Sequence, residues 1–91
     1  MLNFFPDYIT EAVKPDIIIE TSAGTYMGWI NRSQLDRTIA AEGQPVWRIR
    51  FIEQTTDSDG KSQVRILYPN GDKEYNYVWD ERESLTYQYA N

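Results

Sequence analysis

Three arginines are the residues whose type and spacing could carry a binding function. Arg48 and Arg50 alternate along one β-type run, and Arg65 lies in the next run. Alternate residues of a strand share a face, and hairpin pairing of the two runs can bring Arg65 to that face. A guanidinium presents planar N–H donors that fit the oxygens of a phosphate or of an acidic peptide. The alternative interpretation is a solvated sheet face with cross-strand ion pairs to Glu53 and Glu74.

The composition argues against most metal and cofactor chemistry. The 91 residues include no cysteine and no histidine, so thiolate nucleophiles, the usual general base and the commonest metal ligand are missing. Residues 57–60 read DSDG, like the start of a calcium loop, but Ile66 stands where that loop needs a glutamate. We therefore expect a turn at residues 57–60, no metal and no cofactor.

Carboxylates could still form an acid–base pair, because the chain carries 14 Asp and Glu residues. Such a pair needs two carboxyl groups held in different environments within a cleft. The candidates lie at strand ends or in a charged turn, where carboxylates are normally solvated: Asp16, Glu20, Asp80, Glu81 and Glu83. The sequence therefore predicts that the protein is not an enzyme.

Charge and hydropathy indicate the cellular location of the protein and the partners it does not favour. The formal net charge of −5 disfavours nonspecific binding to nucleic acid or to anionic membranes. No apolar run approaches the roughly 20 residues of a membrane span. The first eight residues, MLNFFPDY, lack the basic start and long apolar core of a signal peptide. We expect a cytoplasmic protein.

Aromatic residues make up 14% of the chain and allow two interpretations. They could line a groove for an extended peptide or a stacked base, formed by Tyr75, Tyr77 and Trp79 beside Trp29 and Trp47. Because leucines are few, most of these rings are instead expected to build the core. Two tyrosines near the end of the sequence, Tyr87 and Tyr89, are expected to be exposed.

Three β-type runs between residues 46 and 79 predict a three-stranded meander: VWRIRFIEQ, SQVRILYP and KEYNYVW. Asn70-Gly71 joins the last two runs and is a strong hairpin signal, because both central residues of a type I′ turn need φ > 0. A register with Phe51 opposite Ile66 in the first hairpin sends one shared set of apolar residues inward. That set is Trp47, Ile49, Phe51, Val64, Ile66, Tyr68, Tyr75, Tyr77 and Trp79. The outward set is Arg48, Arg50, Ile52, Arg65, Leu67, Asn76 and Val78.

The remaining segments complete one domain over residues 1–91. Residues 3–14 have the spacing of a short amphipathic helix, which could cover the sheet or contact another chain. Residues 16–31 predict a first hairpin with a bulge or sharp bend at Gly28. Residues 32–45 are an excursion that forms either a helix over 33–41, capped by Ser33, or an irregular loop. Residues 85–89 alternate as a last strand at a sheet edge.

This order of elements predicts a mainly β fold: a small antiparallel sheet of five or six strands, strongly bent or closing into a partly open barrel. In strand order it resembles SH3-like barrels. The alternative is an α+β arrangement, in which the N-terminal helix lies across one face of an open antiparallel sheet.

Elimination leaves a non-enzymatic protein-interaction domain as the leading functional hypothesis. Its contacts would be a sheet edge, at residues 16–20 or 85–89, or an aromatic face, and a homodimer is the simplest partner. The second hypothesis is nucleic-acid binding through Arg48, Arg50 and Arg65. The third is a small catalytic domain. The candidate surface residues are Arg48, Arg50, Arg65, Tyr87 and Tyr89.

Overall fold

A computed structural model describes residues 14–91, and the prediction of a mainly β protein is confirmed. Five antiparallel strands form one open sheet in the order β1-β2-β3-β4-β5. The strands are β1 (Ile17–Glu20), β2 (Gly24–Ile30), β3 (Trp47–Thr56), β4 (Ser62–Pro69) and β5 (Tyr87–Gln88). Within residues 14–91 no helix has the length and apolar character to cross a membrane. The helix predicted over residues 3–14 lies, apart from Lys14, outside the described residues.

The first hairpin forms because a threonine closes its turn. The Thr21 hydroxyl accepts hydrogen bonds from the N–H groups of Ala23 and Gly24, and the Thr21 and Gly24 backbones pair at 2.7 and 3.3 Å. Gly24 has φ of +156°, and a Cβ there would lie 2.4 Å from the Ile52 carbonyl oxygen. At the other end of β1, Asp16 pairs with Arg32 and accepts the N–H of Ile30. These contacts fix both ends of the hairpin.

The register between β3 and β4 differs by one residue from the predicted one. Phe51 lies opposite Leu67 and Ile52 opposite Ile66, whereas Phe51 opposite Ile66 was predicted. A one-residue shift turns the side chains of one strand to the other face. Leu67 therefore joins the core with Phe51, and Val64 is 43% exposed. The prediction was wrong because it assumed one buried face, whereas apolar residues are buried on both.

The third strand of the predicted meander does not form. The Asn70-Gly71 turn has the expected positive φ values, 54° and 72°. However, the Asp72 carboxylate then accepts the N–H of Glu74 and the hydroxyl of Tyr77, which holds the chain in a compact loop. The chain returns to the sheet at a single bridge between Tyr77 and Trp47. β5 instead takes the place beside β4.

The excursion is a loop, and the predicted helix over 33–41 is absent. One buried side chain organises the loop: Gln44 accepts the N–H of Asp36 at 2.9 Å and donates to the Asp36 carbonyl at 2.7 Å. A 3-10 helix, Ala41–Gly43, ends the loop, and a second one, Trp79–Ser84, occupies the predicted charged turn. Ser33 caps nothing, because its N–H and hydroxyl both donate to the Asn31 side chain.

The core lies on one face of the sheet, which we call the core face. Its buried residues are Tyr26, Val46, Trp47, Ile49, Phe51, Leu67 and Trp79. Gly28 pairs with Ile17 on one side and Ile49 on the other, and its carbonyl oxygen also accepts the N–H of Asp16 at 2.7 Å. That glycine makes room for two indoles, since a Cβ on it would lie 2.6 Å from Trp79 and 2.8 Å from Trp47. A smaller buried cluster of Met27, Trp29 and Ile52 occupies the opposite face.

Candidate binding surfaces

Two arginines and two aromatic rings form a compact group on the face opposite the core, which we call the arginine–aromatic face: Trp29, Arg48, Arg50 and Tyr68. The Arg48 guanidinium carbon lies 5.4 Å from the ring centroid of Trp29, and that of Arg50 lies at 4.9 Å. The same two carbons lie 5.9 and 5.7 Å from the Tyr68 centroid. Both cations therefore share the same two rings.

Strand geometry explains why these four residues meet. Arg48 lies directly opposite Trp29 in the β2–β3 ladder, and Arg50 lies opposite Met27. Tyr68 follows Ile66 by two residues on β4 and so points to the same face. Each cation–ring contact contributes about 0.5–2 kcal/mol, with the larger values where water is excluded. Trp29 is 5% and Tyr68 7% exposed, but both arginines are partly exposed, so these contacts lie between the two limits.

Three donors in this group have no acceptor among the residues that the structure describes. They are the indole Nε1 of Trp29 and the guanidinium Nε atoms of Arg48 and Arg50, all shielded from solvent. Nearly all buried polar groups in folded proteins are hydrogen-bonded, and leaving one unpaired costs roughly 1–3 kcal/mol. Three such donors lie close together in this group, and within residues 14–91 Arg82 Nε is the other buried side-chain donor without an acceptor.

The third predicted arginine is not part of this group. Arg65 lies opposite Glu53 in the ladder and forms an ion pair with it at 3.7 Å. Because Arg65 alternates with Ile66, its side chain leaves the sheet on the opposite side from Arg48 and Arg50. The prediction of one three-arginine face was wrong for the same reason as the register. The predicted pairing with Glu53 is present.

The outer edge of β1 is a second candidate surface. Thr21 and Gly24 exchange both backbone hydrogen bonds, and such bonded pairs alternate along an antiparallel ladder. The backbone N–H and C=O groups of Ile18 and Glu20 therefore point away from β2. Within residues 14–91, β1 is the first strand of the sheet and no strand pairs with these outward groups, and the Ile18 side chain is 40% exposed. An extended chain could pair here.

The two tyrosines of the predicted surface have different environments. Tyr87 is half-buried against the core, and its hydroxyl donates to the Arg82 carbonyl oxygen at 2.7 Å. Burial is the main cause of a pKa raised well above the ordinary value for this phenol. Tyr89 is 64% exposed, as predicted. Tyr87 therefore stabilises the fold, and only Tyr89 is available to a ligand.

The predicted aromatic groove is absent from the described residues. Trp47 and Trp79 pack against each other at a centroid distance of 5.2 Å and are buried on the core face. Tyr77 packs beside them, whereas Tyr75 packs against the cluster on the opposite face. The rings build two apolar clusters, in agreement with the interpretation of most of them as core residues.

A shallow cavity of about 360 Å³ lies between the β1–β2 turn and β3. It is lined by residues 20–25 with Ile52, Gln54 and Thr56. Glu20 is its only carboxylate, so this cavity offers no pair of acidic groups for general acid–base chemistry. Within residues 14–91 no group of three or more acidic side chains could hold a metal ion.

Comparison with known proteins found no matching family model, no similar curated protein and no similar solved structure. The surfaces must therefore be interpreted from their own geometry. Alternation in β3 predicted the pair of arginines, but no sequence signal indicated Trp29 and Tyr68 as their neighbours. Trp29 is placed by the β2–β3 register, for which the sequence pattern made no prediction, and Tyr68 by the β3–β4 register, which was predicted one residue away.

Proposed function

We propose that this chain is a non-enzymatic protein-interaction domain that associates with a second copy of itself by adding a strand to β1. The observation that carries the proposal is the open edge at Ile18 and Glu20, where backbone donors and acceptors face outward beside an exposed isoleucine. Such groups pair readily with another extended chain. We also propose an SH3-like strand order and a cytoplasmic location. The location is inferred from the acidic composition and the lack of cysteine.

Charge selects one register for this pairing. A two-fold antiparallel arrangement centred on Ile18 would place Asp16 opposite Glu20 of the second copy, and like charges directly opposite are destabilising. An arrangement centred on Ile19 places Ile18 opposite Glu20 of the second copy and lets both residues exchange their outward hydrogen bonds. We therefore expect the register centred on Ile19. The edge is only four residues long, so the dimer should be weak.

Two proline variants test the edge. The N–H of Ile18 points outward, so Ile18→Pro removes a donor needed for dimerisation and leaves the β1–β2 ladder intact. Ile19→Pro is the matched control, because the Ile19 N–H bonds to β2 and its loss weakens the hairpin. Sedimentation equilibrium from micromolar to millimolar concentration should show a monomer–dimer equilibrium for the natural sequence and a folded monomer for Ile18→Pro. A monomer at every concentration for the natural sequence would refute the proposal.

Salt dependence separates this function from the nucleic-acid alternative. Two chains of net charge −5 repel each other, so added salt should strengthen their association. Binding to nucleic acid would weaken steeply with salt instead. The structure favours the first behaviour, because Trp29 and Tyr68 are too deeply buried to stack on bases.

A further inference from the structure

The arginine–aromatic face carries positive charge that the described residues do not neutralise. The ion pairs within residues 14–91 involve Arg32, Arg65 and Arg82, and neither Arg48 nor Arg50 takes part in one. The rings of Trp29 and Tyr68 attract both cations but bring no net charge. Two guanidinium groups are thus held side by side in a chain that is acidic overall.

The unpaired donors indicate what is missing at this face. Trp29 Nε1, Arg48 Nε and Arg50 Nε are all N–H donors, so a ligand that satisfies them is an acceptor. Because the three atoms are shielded from solvent, the partly exposed side chains of Arg48 and Arg50 must turn to admit it. The terminal nitrogens of both partly exposed arginines add further planar donors of the kind that bind oxyanions at two points. A ligand that matches these donors therefore carries several acceptor oxygens and a negative charge.

We propose that the arginine–aromatic face is a binding site for a phosphate group. A phosphate monoester carries about −1.5 to −2 charges at neutral pH and three strong acceptor oxygens, which match two arginines. A carboxylate carries a single charge and two acceptor oxygens, so it balances only one of the two guanidinium charges. Phosphodiesters of nucleic acid also carry one charge each. The match in charge selects the monoester, and this inference does not depend on the dimer proposed above.

Nuclear magnetic resonance titration with inorganic phosphate tests the site directly. The three tryptophans give three indole N–H signals, and that of Trp29 should shift in a saturable manner at low ionic strength. The Trp47 indole is the internal reference, because its N–H already donates to the Ala41 carbonyl oxygen at 2.9 Å. Arg48→Gln or Arg50→Gln should weaken phosphate binding about tenfold or more, since each removes a charged donor. Backbone amide spectra check that each variant is folded.

Arg65→Gln is the matched control for charge. It removes the same single positive charge from the opposite side of the sheet and should leave the phosphate affinity within about twofold. An equal loss in Arg65→Gln would show that phosphate responds to net charge only and would overturn the proposal. So would the absence of a saturable Trp29 shift.

Two further ligands test the choice of phosphate. Acetate and a short single-stranded oligonucleotide, titrated under the same conditions, should bind more weakly per anionic group than phosphate does. Acetate binding as tightly as phosphate would overturn the assignment to a doubly charged group. If the oligonucleotide bound more tightly than phosphate, and its binding also depended on Arg48 and Arg50, the ligand of this face would be nucleic acid and not a phosphate monoester.

Discussion

On the core face, the indole N–H of Trp47 donates to the carbonyl oxygen of Ala41 at 2.9 Å; on the arginine–aromatic face, the indole N–H of Trp29 is also buried and has no acceptor within residues 14–91. The contrast extends to neighbouring residues. Tyr87 and Tyr77 of the core face both place their hydroxyls on acceptors. Across the sheet, Arg48 and Arg50 leave their Nε donors unpaired.

The two faces differ in how completely their buried donors are hydrogen-bonded. A fold is most stable when each buried donor has an acceptor, and departures from that rule tend to occur where a protein binds something. On the core face Trp47, Tyr77 and Tyr87 follow the rule, and Arg82 Nε does not. The arginine–aromatic face departs from it at three adjacent donors. We therefore interpret the first face as the source of stability and the second as a binding surface.

The largest expected effect comes from crowding the core face. Gly28→Ala would place a methyl group 2.6 Å from Trp79 and 2.8 Å from Trp47, and both indoles are enclosed by the core. Neither ring can move without displacing its neighbours, so we expect a loss of about 1–3 kcal/mol of unfolding free energy. Urea denaturation followed by tryptophan fluorescence measures this change.

Gly43→Ala is the control for that substitution. An added Cβ at position 43 meets no atom within 4 Å, and the variant should be unchanged or more stable by up to about 1 kcal/mol. If Gly28→Ala were as stable as Gly43→Ala, the core face would be loosely packed and the contrast between the two faces would fail.

A smaller effect is expected at alkaline pH. Burial raises the pKa of Tyr87, and it is also the main cause of the raised pKa of Tyr26 on the same face. A phenol whose pKa is higher in the folded protein stabilises the fold while it is protonated. That contribution is present below the unfolded value of about 10 and falls as pH rises above it, by up to about 1.4 kcal/mol per pH unit for each group.

Tyr87→Phe should therefore flatten the decline in stability above pH about 10, measured by urea denaturation at a series of pH values. At neutral pH the variant should lose about 0.5–1.5 kcal/mol, because the Arg82 carbonyl loses its donor. Tyr89→Phe is the exposed control, and its stability should follow the same pH profile as the natural sequence. An unchanged slope in Tyr87→Phe would mean that its hydroxyl is solvated.

Local patterns predicted the elements better than their pairing. Residues 17–30 form the expected hairpin, and β1 and β5 are the sheet edges, as strand spacing and chain order indicated. The register of β3 and β4 could not be read from alternation. Ile52 and Ile66 are apolar and lie opposite each other on the second face, and alternation cannot tell which of two buried faces receives them.

The predicted third strand of the meander and the predicted helix over 33–41 do not form because of contacts with residues distant in the sequence. Asn70 and Gly71 do form the predicted turn, but β5 takes the position beside β4 that the next run would have filled. In the excursion, the Gln44 side chain bonds backbone groups of the loop in place of helical hydrogen bonds. Both outcomes depend on residues eight or more positions away, which local propensity does not include.

The smallest expected effect gives the sharpest test of the contrast between the two faces. Trp47→Phe and Trp29→Phe each replace a buried indole by a smaller ring, so the cost of the lost volume is similar in both. Trp47→Phe also leaves the Ala41 carbonyl without its donor, whereas Trp29→Phe removes a donor that had no acceptor. Urea denaturation should therefore show Trp47→Phe to be less stable than Trp29→Phe by about 1 kcal/mol. In saturating phosphate this difference should shrink or reverse, because a bound anion gives the Trp29 indole an acceptor. Equal stabilities without phosphate would mean that the Trp29 N–H already has a partner, and the face would then lack the unpaired indole donor that distinguishes it from the core face.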